Sequence, residues 1–574
     1  MVLSVVGTLV IAVLISGALR QLLANMGSDS LILQNNLATG ALMIWWLPVA
    51  AIAFWLTLPW FPAVWSRTKD WILGCSDHQW TAGIFTLSLA LTGLIAYWGY
   101  GAMPKTGDEV SLLFQAKIFA SGRWFAPAPS LPQLFHLQTT IIDKGKWFSM
   151  YQPGHPLILA LGSLAGLPWL IGPLLASATA AVSSRLFLEL SDRLTARFSS
   201  ALLLSSPFFL LSGSSFLVHG SSQLFLIFSL WMAVRSFAKK RWAWLLLAGA
   251  GAGFGFITRS YTTVAFWFPI VVLAAYLTVR QKLPLTAWVW FILGFIPFLA
   301  FQLWNNRLLT GQPLLFPYFM MEPAGYNAIG FGRHIGGYLY GGQGHTPVKG
   351  LINLGYTAYA LSLNLLGWPF LSLIPIGFLI ASGRWKKFAL VSAVCASLFL
   401  AYFFYWYNGI GFWGPRFYIE IIPLLIFLSI AGLRSLKNVA GFSRSNLLPT
   451  YFAAVILSLG TVTLYLPYQW HFLGHSAWGC KSIPGPPSIP SLVLVPRLDD
   501  SIPGAQTANL FLYPSFFNGN PLLLDGDVIY ARQTPDISAT DIARNYPGRT
   551  IYSLAYNKSL VQYTIIYQPD KKYH

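Results

Sequence analysis

Residues 81–100 read TAGIFTLSLALTGLIAYWGY, and residues 101–122 continue as GAMPKTGDEVSLLFQAKIFASG. The first block carries no charge and is long enough to cross the ~30 Å hydrocarbon of a bilayer as a helix. The second places Asp108 and Glu109 side by side just beyond it. In a chain that is 55% hydrophobic and only 9% charged, adjacent carboxylates at a membrane edge point to chemistry at the surface.

Outward from this stretch the same pattern repeats. The chain has 574 residues and a mean hydropathy of +0.59, and its apolar runs of about eighteen or more residues describe a polytopic α-helical membrane protein. Soluble classes are excluded. The runs are Val2–Leu19, Ala41–Val64, Thr81–Tyr100, Pro168–Leu190, Ala201–Phe216, Ser221–Phe237, Trp242–Ile257, Tyr261–Val279, Leu285–Trp304, Leu351–Ile380, Phe388–Trp406, Phe417–Leu433 and Tyr451–Tyr468, about thirteen transmembrane helices. Val2–Leu19 lacks a basic leader and is followed by further spans, so it reads as a retained anchor. The three cysteines, Cys75, Cys395 and Cys480, are scattered too widely for a disulfide framework or a local metal cluster.

Alternate connections carry the cations: Arg67 and Lys69, Arg193 and Arg197, Lys239 to Arg241, Arg280 and Lys282, Arg384 to Lys387, and Arg434, Lys437 and Arg444. The positive-inside rule makes these loops cytoplasmic. The formal charge of +19 is then a topology signal with an attraction to anionic lipid, and a nucleic-acid partner is disfavoured. The loops 101–154 and 305–350, the turn at Gly409 and the tail after Tyr468 all face outward, which gathers the candidate chemistry on one side of the membrane.

In the first outer loop, Val110, Leu113, Phe114, Lys117 and Ile118 recur at helical spacing, which predicts a short amphipathic helix lying in the interface. Thr106 and Glu109 have capping-box spacing, so Glu109 reads equally as a helix-start residue and as part of the chemistry. Asp108 is free to face a cleft and take a proton from an acceptor hydroxyl. Farther on, Lys144-Gly145 reads as the turn of a hairpin, and Tyr151-Gln152-Pro153-Gly154-His155-Pro156 as a non-helical re-entry into the membrane. His155 has two readings there: a donor to a ligand phosphate, or a side chain bonded to a backbone group freed at the proline break.

Two cations break the charge pattern. Arg259 sits in a very short outer turn between two spans, and Arg416 at the outer mouth of another. A charge near the membrane core is costly without an anion beside it, and a lipid phosphate is one such anion. The competing reading for Arg416 is a helical i, i+4 pair with Glu420. The loop holding Glu322, Arg333, His334, Tyr338, Gly341-Gly342 and His345 has two readings: the glycine and aromatic content of a mobile lid, or a loop whose polar residues are simply solvated.

Taken together, Gly107-Asp108-Glu109 after a span, Tyr151 to Pro156, and Gly414-Pro415-Arg416-Phe417-Tyr418 with Pro423 resemble the GT-C glycosyltransferases, nearest the bacterial protein O-mannosyltransferase and lipid A aminoarabinose transferase group. The likeness spans Thr81 to Leu433 and lies in the order and shared outer face of the motifs. It implies a sugar donor on a polyprenyl phosphate, a hydroxyl-bearing acceptor in a protein, lipid or glycan, and inversion at the anomeric carbon. It also implies Asp108 as base with Glu109 its neighbour, and Arg416 as a phosphate contact. Arg259 and the lid residues rest on charge and composition, outside the motif. The two spans before the acidic loop depart from the simplest plan of that family. No compact metal-ligand cluster is legible, so neither metal nor cofactor is expected, although the adjacent acids are one place a cation would fit.

The implied organisation is 1–80 as N-terminal transmembrane helices, 81–468 as a GT-C-like core with outer loops 101–155 and 305–350, and 469–574 as a small extracytoplasmic α/β domain. In the last of these, Ser482 to Pro487 reads as a stiff linker, and Leu510–Tyr513, Val528–Tyr530, Thr550–Leu554 and Tyr563–Tyr567 as strands. Ser538 caps a short helix through Arg544. The expected setting is a bacterial inner membrane with the site facing outward. Two rivals are a lipid-linked glycan polymerase or ligase, and a flippase, for which ionisable groups at the membrane midplane would be expected.

Overall fold

The computed structural model describes residues 67, 70–321, 329–332, 344–368, 371–411, 414–438, 451, 453–460, 462, 485–496, 513–557 and 560–569. The first two apolar runs, part of the run from Tyr451, and Glu322, Arg333, His334 and Tyr338 lie outside these residues. The chain is an integral membrane protein: seven described helices are long and apolar enough to cross a bilayer.

In chain order the helices are α1 Asp77–Leu94, α2 Gly107–Ala120, α3 Gly154–Leu164, α4 Ile171–Leu190, α5 Arg193–Ser205, α6 Pro207–Gly213, α7 His219–Lys239, α8 Trp244–Val279, α9 Leu285–Thr310, α10 Pro347–Asn364, α11 Ile374–Ala381, α12 Ala389–Phe403, α13 Ile422–Leu433 and α14 Ala539–Asn545. Several apolar runs break where the backbone demands it. The run 201–216 is interrupted at Ser206-Pro207, where α5 and α6 meet at 62°, because proline cannot continue a helix and Ser206 instead caps the next one. The run Leu351–Ile380, expected as one span, splits into α10 and α11. Helix α8 contains one non-helical residue, Arg259 (φ −150°, ψ 81°). Trp267 packs its ring 4.6 Å from Phe291, and the backbone of Gly249 abuts the carbonyl of the same Phe291. Residues on both sides of the break therefore meet one residue of α9, and the chain doubles back at Arg259, as the reading of two spans requires.

Arg416 and Arg434 stand at opposite ends of the apolar stretch that includes α13, ~30 Å apart at the rises of its 3₁₀ and α-helical parts. Beyond its far end, Arg434 and Arg193 pair with Asp192 and Asp77, and Arg197 also reaches Asp77. These three loop cations and the candidate site thus occupy different ends of the bundle.

Over the site end lies a second layer. Strands β1 Ala126–Pro127, β2 Thr140–Asp143 and β3 Lys146–Ser149 form a sheet in the order β1-β3-β2. The β2-β3 turn is the expected one, with positive φ at both Lys144 (47°) and Gly145 (78°), the signature of a tight primed turn. After the short pair β4 Ile410–Gly411 and β5 Gly414–Pro415 come β6 Ser491–Val495, β7 Val528–Arg532, β8 Thr550–Asn557 and β9 Leu560–Tyr567, in the order β7-β6-β8-β9. The first three of this group are parallel and β9 is antiparallel. Its central strand, SLVLV at 491–495, is buried on both faces and therefore lacks the alternation that marks a strand in sequence. Tyr513, expected at a strand end, instead begins a helical turn.

Helix α2 corrects the expectation of an amphipathic helix lying free in the interface. Val110, Phe114 and Ile118 join Leu134, Trp147, Leu492 and Phe517 in one core, while Leu112, Leu113 and Ala116 join Leu159, Ile171 and Phe216 in another. It is apolar on two faces because it is clamped between the outer sheets and the bundle. Lys117 escapes by donating to the Asn518 carbonyl at 2.8 Å, and burial pulls its ammonium below the usual lysine range.

Candidate active site

Asp108 and Glu109 open helix α2, and the first turn sends them in different directions. Glu109 completes the capping box with Thr106: its Oε2 accepts from the backbone N–H of Lys105 (2.6 Å) and Thr106 (3.0 Å), and its Oε1 from that of Phe216 (2.9 Å). The side chain is wholly buried, and burial pushes its carboxyl up to about 7 against the pull of those N–H groups. Glu109 is the peg that fixes the start of α2 to the loop before α7. Asp108, one residue earlier, remains 24% exposed and pairs with Arg416 (Oδ2 to Nη1, 2.6 Å).

Arg416 comes from a different part of the chain, and the reason it does not take Glu420 is local. Residues 416–421 form a 3₁₀ helix, in which residues three apart share a face while those four apart do not. Pro423 lacks the N–H that an α-helix would bring to the Ile419 carbonyl, and that carbonyl accepts from the Ile422 N–H three residues on and from Gln223 Nε2. The i, i+4 pair weighed from sequence is thereby disfavoured, and Glu420 turns inward. Its Oε1 lies 3.0 Å from His219 Nδ1 and 3.4 Å from Arg259 Nε. Arg259 also approaches His219 (Nη1 to Nε2, 2.6 Å), donates to the Tyr402 hydroxyl (2.7 Å) and to Thr262 Oγ1 (3.1 Å). The arrangement fits a neutral His219 that donates from Nδ1 to Glu420 and accepts at Nε2 from Arg259.

The two guanidiniums converge on one ring. Arg259 lies 5.4 Å and Arg416 5.7 Å from the centre of Phe417, and Tyr402 stacks on the same ring at 4.7 Å. Tyr407 supports Arg416 at 5.5 Å. Tyr151 hydrogen-bonds Asp108, and burial together with that carboxylate holds its hydroxyl well above the usual phenol range, so it stays a proton donor. Tyr318 shares a hydroxyl bond of 2.8 Å with Tyr405 and faces Tyr151 at 6.3 Å between rings. The result is an accessible acid and cation beside a buried acid, histidine and cation, walled by tyrosines.

Other expected residues fall elsewhere. Both ring nitrogens of His155 are occupied, by Ser221 Oγ (2.7 Å) and the Phe216 carbonyl (2.9 Å), which leaves neither for a phosphate. The re-entry around it is helical from Gly154 onward, with Pro153 before the first turn. His345 Nε2 bonds the Phe403 carbonyl at 3.1 Å, its ring packs on Phe331, and burial draws its pKa down. Sequence reasoning read Tyr151 only as part of the re-entry and passed over His219, Tyr318, Tyr402, Tyr405 and Tyr407. Signals exist for four of them: the run Tyr402 to Tyr407, six aromatic residues, at the end of a span, for Tyr402, Tyr405 and Tyr407, and an ionisable residue at the start of a span for His219. Among the described residues no three of histidine, cysteine, aspartate and glutamate converge as a metal-ligand set.

No protein-family model and no curated protein matches the chain. Among solved structures the chain is similar to ArnT from Cupriavidus metallidurans. The apo crystal structure matches with a TM-score of 0.49 and the one bound to undecaprenyl phosphate with 0.46, each at 14% identity over 82% of this chain and 93% of that one. The apo oligosaccharyltransferase of Archaeoglobus fulgidus matches with a TM-score of 0.44 at 10% identity, covering 80% of this chain and 62% of that one. Such values record likeness of outline, and the functional reading rests on the side chains.

Proposed function

We propose that this protein is an inverting glycosyltransferase of the GT-C kind, moving a sugar from a polyprenyl phosphate to an acceptor hydroxyl at the outer face of the membrane. The observation that carries the reading is the Asp108–Arg416 pair, a half-buried base and a half-buried anion-binding group held 2.6 Å apart at one end of a membrane bundle. In the reaction Asp108 takes the acceptor's hydroxyl proton as its oxygen attacks C1, and the bond from C1 to the phosphate oxygen breaks on the opposite side. A single displacement inverts the anomeric centre. The negative charge that grows on the departing phosphate falls beside Arg416 and Arg259, where fixed cations stabilise it without reorganisation. The charges sit at the bundle end, as a transferase at the interface needs.

The test is transfer of labelled sugar from polyprenyl-phosphate donors by the purified protein in lipid, across protein, lipid and glycan acceptors. Asp108→Asn is expected to lower turnover by ~10²–10⁴-fold while donor binding is retained. Undiminished transfer by the variant would remove Asp108 as base, and absence of transfer by wild type with every donor would favour a flippase.

A further inference from the structure

We infer that Gln152 is a positioning residue of this site, tying down the helix break at Arg259 and so holding that guanidinium in place. The inference rests on the reading of Arg259 as a contact to the donor phosphate. The backbone leaves the helical region at Arg259, so the next N–H, that of Ser260, loses its partner four residues back, the Phe256 carbonyl. Two bonds repair the loss. Ser260 Oγ donates to the Phe256 carbonyl at 2.8 Å, and the Ser260 N–H donates to Gln152 Oε1 at 3.1 Å. Gln152 Nε2 then donates to Ser260 Oγ at 2.7 Å, so both ends of the amide are spent on one residue. A primary amide carries donor and acceptor side by side, which a carboxylate or an ammonium does not. Gly154 presses the same turn onto the break, since a β-carbon there would lie 2.9 Å from the Ile257 carbonyl. Arg259 is thus supported from both sides: its side chain by Glu420, His219, Thr262 and Tyr402, its backbone by Gln152. With Nη1 held against the His219 ring and Nη2 giving one N–H to Tyr402, the other N–H of Nη2 is left for a phosphate, among the described residues.

The experiment is a titration of the full-length protein in lipid nanodiscs with undecaprenyl phosphate, together with thermal unfolding. Gln152→Ala is expected to weaken affinity about tenfold, the scale of one charge-assisted hydrogen bond, at an unfolding temperature close to wild type. Arg259→Ala weakens it at least as much, and adding Gln152→Ala to Arg259→Ala changes nothing further. That non-additivity is the signature of action through Arg259, which a merely structural role would not produce. Ser260→Ala, which keeps the backbone N–H but removes the hydroxyl, gives a smaller loss in the same direction and serves if Gln152→Ala does not fold. Unchanged affinity in Gln152→Ala beside a weakened Arg259→Ala overturns the inference and leaves the transferase reading standing. Additive losses also overturn it, since Gln152 then acts by another route. Unchanged affinity in Arg259→Ala removes Arg259 as a phosphate contact, and the inference falls with it.

Discussion

At the scale of single residues, the two neighbouring carboxylates separate by burial. Asp108 and Arg416 satisfy one another at 2.6 Å, so a donor phosphate must compete with Asp108 for the guanidinium. Asp108→Asn is therefore expected to bind undecaprenyl phosphate several-fold more tightly than wild type even as it loses turnover, and weaker binding would mean that the acid orients Arg416 for the phosphate. Glu109 behaves differently. Its folded pKa, about 7, lies above the ordinary 4.5 because burial disfavours the charge. In that interval the folded protein binds more protons than the unfolded chain, so stability is present below pH ~4.5 and is lost as pH rises toward ~7, by up to about 3 kcal/mol. Unfolding temperature followed across this range should decline in wild type and stay flatter in Glu109→Gln. Capping-box spacing around Glu109 was legible in the sequence. Its third bond, to the Phe216 N–H, was not, because 107 residues separate the partners.

At the scale of elements, Arg416, Glu420 and Arg259 owe their directions to breaks in regular structure. A proline after residues 416–421 leaves a 3₁₀ turn that sends Arg416 and Glu420 apart, and the lone extended residue at 259 turns one helix back on itself. Both breaks have a trace in the sequence, since proline announces the first and a lone arginine between two apolar runs the second, but the directions they give the side chains are not written there. Gly154 marks where α3 meets α8. Placing a β-carbon there forces the Ile257 carbonyl or the Thr258 hydroxyl to move, and Gly154→Ala is expected to cost ~1–3 kcal/mol of stability, measured by thermal unfolding. An unaltered unfolding temperature would show that the two helices can separate slightly without penalty.

At the scale of the whole molecule, the C-terminal sheet and the helix carrying Asp108 share one core. Phe517 lies 5.6 Å from both Phe114 and Trp147, between the sheet layer and α2. Truncating it should cost ~3–5 kcal/mol and lower transfer although it touches none of the proposed reacting groups. Normal transfer by Phe517→Ala would show that α2 keeps its place without the sheet. The tail is in this sense part of the site's foundation, whatever acceptor it faces.

Hydrophobic run length determined the class by itself, since in a bilayer every backbone polar group must be satisfied within a helix or a closed sheet, and the runs report that directly. The distribution of lysine and arginine likewise carried an expected orientation, and the Asp108-Glu109 dipeptide marked the end of the bundle where the candidate chemistry lies. Only the tertiary structure decided which carboxylate is exposed, which cation each one holds, and which tyrosines wall them. Those choices depend on partners one hundred to three hundred residues apart, such as Glu109 with Phe216 and Arg416 with Asp108, and on the desolvation each pair meets. Neither quantity is a property of local sequence, so no local pattern contains it.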